Sequence, residues 1–167
     1  MRTTVRTVKL LALIVWLGGL VFFAFVLAPT VFSPAVVERA HGLALPGAIV
    51  GSALGQMHWI GLVCGVLFSV CVLAHGLRGR MAKAELLAIV LMLLLTAFSQ
   101  FSILPRMEAD RRQVGEIDSV PADNPVRMRF DALHQLSERV EGLVMLCGIG
   151  LVVLVARERQ PDTIERA

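Results

Sequence analysis

The sequence predicts an all-α protein, a four-helix transmembrane bundle, and three observations support this prediction. Of the 167 residues, 56% are hydrophobic and 17% are charged. A soluble domain carries about 45–50% hydrophobic and about 25% charged residues. Four stretches contain no Asp, Glu, Lys or Arg, namely residues 10–37, 40–77, 86–105 and 142–156. These runs are uniformly apolar and do not alternate, which favours helices over the strands of a membrane barrel.

The first predicted span covers residues 8–28. It ends before Pro29, because proline lacks the backbone N–H that would continue the helix. Ser33 and Pro34 then form an N-cap and first-turn pair, so a short interfacial helix follows span one and reaches Arg39.

The second and third predicted spans follow one another closely. A long helix starts near Pro46 and contains span two at residues 54–77, and span three covers residues 84–104 and ends at Pro105. Small residues recur every four positions in the long helix, which is typical of faces that other helices approach closely. These helix-packing positions are Gly47, Gly51, Gly55, Gly61, Gly65 and Ser69.

The last predicted helix projects beyond the membrane. A charged outer loop occupies residues 106–124, and Asn124 with Pro125 forms a second N-cap and first-turn pair. The last helix therefore starts there, and span four covers residues 133–156. Residues 1–167 are expected to form a single integral membrane domain.

The placement of positive charge predicts an inner-membrane protein with both termini in the cytoplasm. With four spans, nine Lys and Arg residues share the side of the termini and six lie on the opposite side, and the cytoplasmic side carries the excess. The nine are Arg2, Arg6, Lys9, Arg78, Arg80, Lys83, Arg157, Arg159 and Arg166. These residues lie in short flanks of apolar spans, so the net charge of +3 does not indicate nucleic-acid binding.

A polar stripe on the last helix is the feature that most strongly suggests chemistry. Its members follow at spacings of 4, 3, 4 and 3, which places them on one helix face: Arg127, Asp131, His134, Glu138 and Glu141. Acids and a histidine in this arrangement bind a metal ion, relay protons or face water. The last two acids adjoin an apolar run, where an unpaired carboxylate is costly.

Polar residues of three antiparallel spans are expected to meet at a similar depth near the outer surface. The predicted metal or proton ligands are His134 and Glu138, supported by His58 and Glu141. Gln56, Ser99, Gln100 and Ser137 complete the predicted polar cluster. Intramembrane polar groups on neighbouring helices pair with one another and mark ion or proton pathways.

These features favour a protein that binds a cation or proton in small-solute or metal handling, with a metal ion as the candidate cofactor. The motifs of common enzyme classes, such as the P-loop and His-Glu-x-x-His, are absent, so no enzyme activity is indicated. Two alternatives stay open. One is an assembly or scaffold protein that docks a membrane-protein partner or a second copy; the other is a haem-linked membrane oxidoreductase, whose two ligands the sequence does not identify.

Three motifs resemble a known family. Trp-Leu-Gly-Gly-Leu at 16–20, Leu-Pro-Arg at 104–106 and Arg-Phe-Asp-Ala-Leu-His-Gln-Leu-Ser at 129–137 are similar to bacterial members of the transmembrane protein 205-like family, of the domain-of-unknown-function 4149 type. The resemblance covers nearly the whole chain. It implies a four-helix membrane domain without an assigned activity, in which His134 and Ser137 are family-typical positions.

The opening motif also resembles, more distantly, copper-resistance D proteins and haem-binding membrane protoporphyrinogen oxidases. The resemblance to those oxidases implies a haem-ligand histidine seven residues before Trp16, but Lys9 occupies that position. Haem binding through the first helix is therefore not expected.

Overall fold

The computed structural model describes residues 2–77 and 79–157, and within these residues the protein is helical and has no β-strand. Four helical segments are long and apolar enough to cross a membrane, namely Thr3–Val31, Ala44–His75, Arg80–Val114 and Pro125–Ala156. The predicted fold class, an all-α four-helix transmembrane bundle, is confirmed. Arg78, Arg159 and Arg166, which entered the predicted topology, lie outside the described residues.

The first long segment does not end at Pro29, where the sequence predicted its end. It comprises α1 (Arg2–Phe22), a π-helical turn (Phe23–Leu27) and α2 (Ala28–Val31). A proline ring clashes with the carbonyl group four residues earlier, and for Pro29 that residue lies inside the π-helical turn. The wider turn relieves this clash, so the helix continues for another half turn.

The same arrangement recurs at Pro105. α5 (Arg80–Phe98) passes through a second π-helical turn (Ser99–Ile103) into α6 (Leu104–Val114). The helix therefore continues past the predicted end of span three, and the first half of the predicted outer loop at 106–124 is helical. π-helical turns are rare in proteins, and those that occur often lie at functional sites.

The short helix after span one and the last helix begin where the N-cap patterns indicate, and the long second helix begins near its predicted start at Pro46. α3 (Pro34–Arg39) is the short helix expected after span one, and α4 (Ala44–His75) continues without interruption for 32 residues, about 48 Å. α7 (Pro125–Ala156) is capped by Asn124, whose side-chain oxygen accepts a hydrogen bond from the backbone N–H of Val126 at 2.8 Å.

The four long segments form a closed bundle in which α1 and α5 each pack against both α4 and α7. We call the end with the start of α1, the α4–α5 connection and the end of α7 the termini end. The opposite end, with α3, α6 and the 3-10 turn Ile117–Ser119, is called the loop end. Core residues of the bundle include Leu13, Trp16, Leu20, Phe68, Ile89, Met92, Val144 and Leu151.

The glycines of α4 at the termini side of the bundle make room for a tryptophan. Trp16, from the first motif of the sequence, is 2% exposed. A Cβ atom on Gly65 would lie 2.9 Å from its ring and 2.6 Å from Leu93, and a Cβ atom on Gly61 would overlap the indole. Glycine is therefore required at both positions for α1 and α4 to pack as they do.

The other small residues of α4 also face groups of the same chain. A Cβ atom on Gly47 or Gly51 would lie within 3.1 Å of the Arg111 guanidinium, and one on Gly55 would contact Leu104 at 3.5 Å. The Ser69 hydroxyl donates to the backbone carbonyl of Gly65 at 2.8 Å. A partner helix would therefore find the glycine positions of this face already filled from within the chain.

Candidate functional site

The centre of the bundle holds a three-residue polar network formed by His58, Gln100 and Glu141. Nδ1 of His58 lies 3.0 Å from Oε1 of Gln100, and Nε2 lies 2.7 Å from Oε1 of Glu141. The imidazole is 1% exposed and the Glu141 side chain 16% exposed. Three different long segments thus contribute one side chain each, and both nitrogens of a buried imidazole are engaged.

Local helix geometry explains why these side chains meet. His58 is near the middle of α4 and Glu141 near the middle of α7, while Gln100 lies in the π-helical turn that precedes Pro105. An extra residue in a helical turn changes the direction of the side chains that follow. The π-helical turn therefore determines which residues of the third segment face α4 and α7.

An aromatic contact borders the network on the outside of the bundle. Trp59 and Phe101, each the next residue after a network member, form an edge-to-face pair with ring centroids 5.7 Å apart. Both rings are more than half exposed. Tryptophan is enriched where a membrane helix meets the interface, so this pair is consistent with a network that lies towards the loop-end surface of the membrane.

Three buried oxygen atoms near the network have no hydrogen-bond partner among the described residues. They are Oγ1 of Thr96, Oγ of Ser99 and Oε2 of Glu141. In a membrane helix a hydroxyl usually donates to the carbonyl four residues earlier, as Ser69 does. Thr96 and Ser99 do not, so their oxygens are free to bind another polar group.

The other residues of the predicted cluster form no hydrogen bond with the network within the part of the chain that the structure describes. His134 and Glu138 form a pair within α7 at 3.4 Å, with their side chains 55% and 68% exposed. Gln56 is exposed and lies 3.4 Å from Ser52 on the same helix, whereas Ser137 is buried. The structure therefore brings together His58, Gln100 and Glu141 and leaves the two predicted principal ligands on the exposed face of α7.

No three His, Cys, Asp or Glu side chains of residues 2–77 and 79–157 are grouped so that they could hold a metal ion. The network itself offers one imidazole and one carboxylate, together with an amide oxygen already directed at the imidazole. Metal sites built from these ligand types use three or more protein ligands. The network therefore offers fewer ligands than such metal sites use.

A second buried pair, which the sequence did not predict, lies at the termini end. Nζ of Lys9 is 2.8 Å from Oε2 of Glu85, and the two side chains are 3% and 1% exposed. The ammonium group also lies 5.7 Å from the centre of the Phe68 ring. This pair joins the first and third long segments, and Lys9 is the residue that stands where the distant resemblance to haem-binding oxidases implied a ligand histidine.

A sequence signal for the Lys9–Glu85 pair does exist. Each residue stands immediately before a long uncharged stretch, 10–37 for Lys9 and 86–105 for Glu85. Both borders belong to the same end of the predicted topology. Opposite charges at equivalent borders of two spans are therefore a pattern that identifies such a pair.

Comparison with known proteins identifies the family of this chain. The family model described as "Domain of unknown function (DUF4149)" matches residues 11–116. The chain belongs to the DUF4149 family. No curated protein and no solved structure matches it, so the likenesses to transmembrane protein 205 and to copper-resistance D proteins stay predictions.

The DUF4149 match covers part of the network only. His58 and Gln100 lie inside the matched residues, and Glu141 lies beyond them. Together with the four apolar helices, the match identifies an integral membrane protein whose activity the family does not specify.

Proposed function

We propose that this DUF4149 protein is a bacterial inner-membrane protein that binds a proton at the His58–Gln100–Glu141 network and uses it in the handling of a small solute. The observation that carries the proposal is a fully buried imidazole with both nitrogens engaged by side chains of two other helices. Ionisable groups are costly inside membrane segments and occur there at ion and proton pathways.

Hydrogen-bond chemistry sets the number of protons at the network. The amide oxygen of Gln100 accepts only, so Nδ1 of His58 donates to it. The contact between Nε2 and Glu141 requires one further proton, on the imidazole as an ion pair or on the carboxyl as a neutral pair. In both forms the pair is neutral. Without that proton, two lone pairs would face each other at 2.7 Å.

Net charge links proton exchange to a second species. Removal of the shared proton leaves one negative charge, and addition of another proton leaves one positive charge. Both states are costly where the dielectric constant is low. In this proposal the network gains or loses a proton together with a charged species that compensates the change, which is the behaviour that coupled solute handling requires.

The unpartnered oxygens of Thr96, Ser99 and Glu141 support a solute that donates hydrogen bonds as part of this proposal. Each can accept a hydrogen bond, and each is buried. A small solute with N–H or O–H groups, or water, would satisfy them. The bias of positive residues supports an orientation with cytoplasmic termini, and with that orientation the loop end and this network would face the periplasmic side.

Nuclear magnetic resonance of the protein with 15N-labelled histidine tests the proposal. The shared proton should give a far-downfield 1H resonance that correlates with Nε2 of His58, and His58→Gln assigns it. Glu141→Gln should remove the resonance. Glu138→Gln, which changes the exposed pair of the same helix, should leave it unchanged.

Two results would overturn the proposal. One is a wild-type protein that lacks the resonance, and the other is a Glu141→Gln variant that retains it.

A further inference from the structure

Arg111 lies at the loop end, and its guanidinium group takes no part in the proposed function. Its central carbon lies 5.1 Å from the centre of the Phe130 ring of α7. On the α4 side, a Cβ atom on Gly47 would lie 3.1 Å from Nη2, and one on Gly51 would lie 3.0 Å from Nη1. The aromatic ring and the bare backbone of two glycines thus flank the group, and we call these four residues the Arg111 seat.

Three other arginines of the loop end are neutralised by acids. The pairs are Arg112–Glu108 at 3.0 Å, Arg127–Asp118 at 3.3 Å and Arg129–Asp110 at 2.9 Å. Across residues 2–77 and 79–157, Arg111 has no ion pair within 4 Å and no hydrogen bond; its guanidinium faces the Phe130 ring and feels the charge of Glu108, which is bonded to Arg112. The residue is only partly exposed, so solvent compensates the charge incompletely.

The surroundings of the Arg111 seat combine a helix N-terminus with two acids that are bonded to other groups. α4 begins at Ala44, so Gly47 belongs to its first turn, where the helix dipole carries a partial positive charge. The nearby carboxylate of Glu116 is engaged elsewhere, because its Oε1 accepts from the backbone N–H of Leu43 at 2.9 Å. Arg111 thus lies beside a helix N-terminus, and the two nearby acids, Glu108 and Glu116, are each bonded to another group, which leaves the guanidinium N–H donors available to an anion.

We infer that Arg111 binds a phosphate group. A guanidinium presents a planar fork of N–H donors that matches two oxygens of a phosphate, and a partly desolvated setting strengthens such bonds. The seat limits the positions of the fork before binding, which reduces the entropy lost on binding. A lipid headgroup at the membrane surface and free inorganic phosphate present the same oxygens, so experiment must separate the two sources.

Binding to the purified full-length chain in detergent tests the inference with two probes. Native mass spectrometry measures retention of phosphatidylglycerol against diacylglycerol, which has the same acyl chains and no phosphate. Calorimetry measures binding of inorganic phosphate. Arg111→Gln should weaken binding of the phosphate probe about tenfold or more. Arg112→Gln is the matched control on the same helix and should leave binding unchanged, because Arg112 already pairs with Glu108.

Each outcome decides the inference or the source of the phosphate. Retention of phosphatidylglycerol without binding of inorganic phosphate supports a lipid ligand, and binding of inorganic phosphate that displaces the lipid supports a free phosphate. Failure of the wild type to bind both probes overturns the inference, as does an Arg111→Gln variant that binds like wild type.

A second variant covers the case in which Arg111→Gln does not fold. Arg111→Lys keeps the charge and loses the fork, so it should bind several-fold more weakly than wild type. Equal binding by Arg111→Lys would overturn recognition by the guanidinium fork.

Discussion

Two His–Glu pairs in this protein combine the same residue types in opposite surroundings. His58 and Glu141 join two helices at 2.7 Å, with side chains 1% and 16% exposed. His134 and Glu138 lie on one helix at 3.4 Å, with side chains 55% and 68% exposed. The buried pair must satisfy its charges within the protein, whereas the exposed pair exchanges its partners with solvent.

The carboxylates of Glu138 and Glu141 differ in their position around the axis of α7. The buried residues of α7 include Ser137, Val140 and Val144, which define the side that faces the bundle. At about 100° per residue, Glu141 lies near the edge of this side and Glu138 lies roughly 60° further away. The contrast teaches that the identity and spacing of polar residues do not determine their role, because helix phase against the bundle decides which one is buried.

Removal of the histidine should give the largest difference in stability between the buried pair and the exposed pair. His58→Leu leaves the Glu141 carboxylate in an apolar setting and should lower the free energy of unfolding by about 3 kcal/mol. His134→Leu, the matched change in the exposed pair, should alter it by less than about 0.5 kcal/mol. Unfolding in detergent micelles by denaturant titration measures both values.

The double variant His58→Leu, Glu141→Leu provides the control for the buried pair. It removes both polar groups, so it should recover most of the stability that His58→Leu loses. Equal losses in the single and double variants would contradict the interpretation, because the loss would then come from packing and not from an isolated charge.

A smaller effect is expected at the third member of the network. Gln100→Leu removes the acceptor 3.0 Å from Nδ1 of His58 and should cost about 0.6–1.7 kcal/mol, the range of single interhelical hydrogen bonds in membranes. Gln56→Leu is the matched change on α4, and because Gln56 is exposed and weakly bonded within its own helix, it should be neutral. A larger loss in Gln56→Leu than in Gln100→Leu would contradict the assignment of Gln100 to the network.

The four long helices were predictable because the signal is local. An uncharged stretch of about 20 residues identifies a membrane helix wherever it lies in the bundle. The N-cap of α7 was predictable for the same reason, since Asn124 and the N–H it binds are only two residues apart. Features that depend on contacts between distant residues were predicted less completely.

The prediction that two helices end at Pro29 and Pro105 was wrong for a physical reason. The sequence shows that Pro29 and Pro105 cannot form a regular helical hydrogen bond, but it does not show that a wider preceding turn absorbs the defect. The seat of Trp16 on Gly61 and Gly65 similarly depends on how α1 crosses α4. Such long-range contacts come from packing, which spacing in one helix does not specify.

The candidate site was also predictable only in part, for the same reason. Its residue types, and the expectation that polar groups of neighbouring helices pair, come from composition and topology. The choice of Glu141 over Glu138 comes from helix phase, and the position of Gln100 comes from the π-helical turn. The Lys9–Glu85 pair was missed because each charge reads as an ordinary flank until the two spans are placed side by side.

The smallest expected effect concerns the exposed pair and its dependence on salt. In α7 the histidine precedes the acid by four residues, which is the less favourable order for a helical ion pair. A double-mutant cycle of His134→Ala and Glu138→Ala should therefore give a coupling of about 0.3 kcal/mol or less at low salt. At about 1 M salt the Debye length falls to about 3 Å, so this coupling should vanish. The same cycle for His58 and Glu141 should keep its value in both conditions, because salt does not screen a buried pair effectively, and a buried coupling that disappears at high salt would show that the network is open to water.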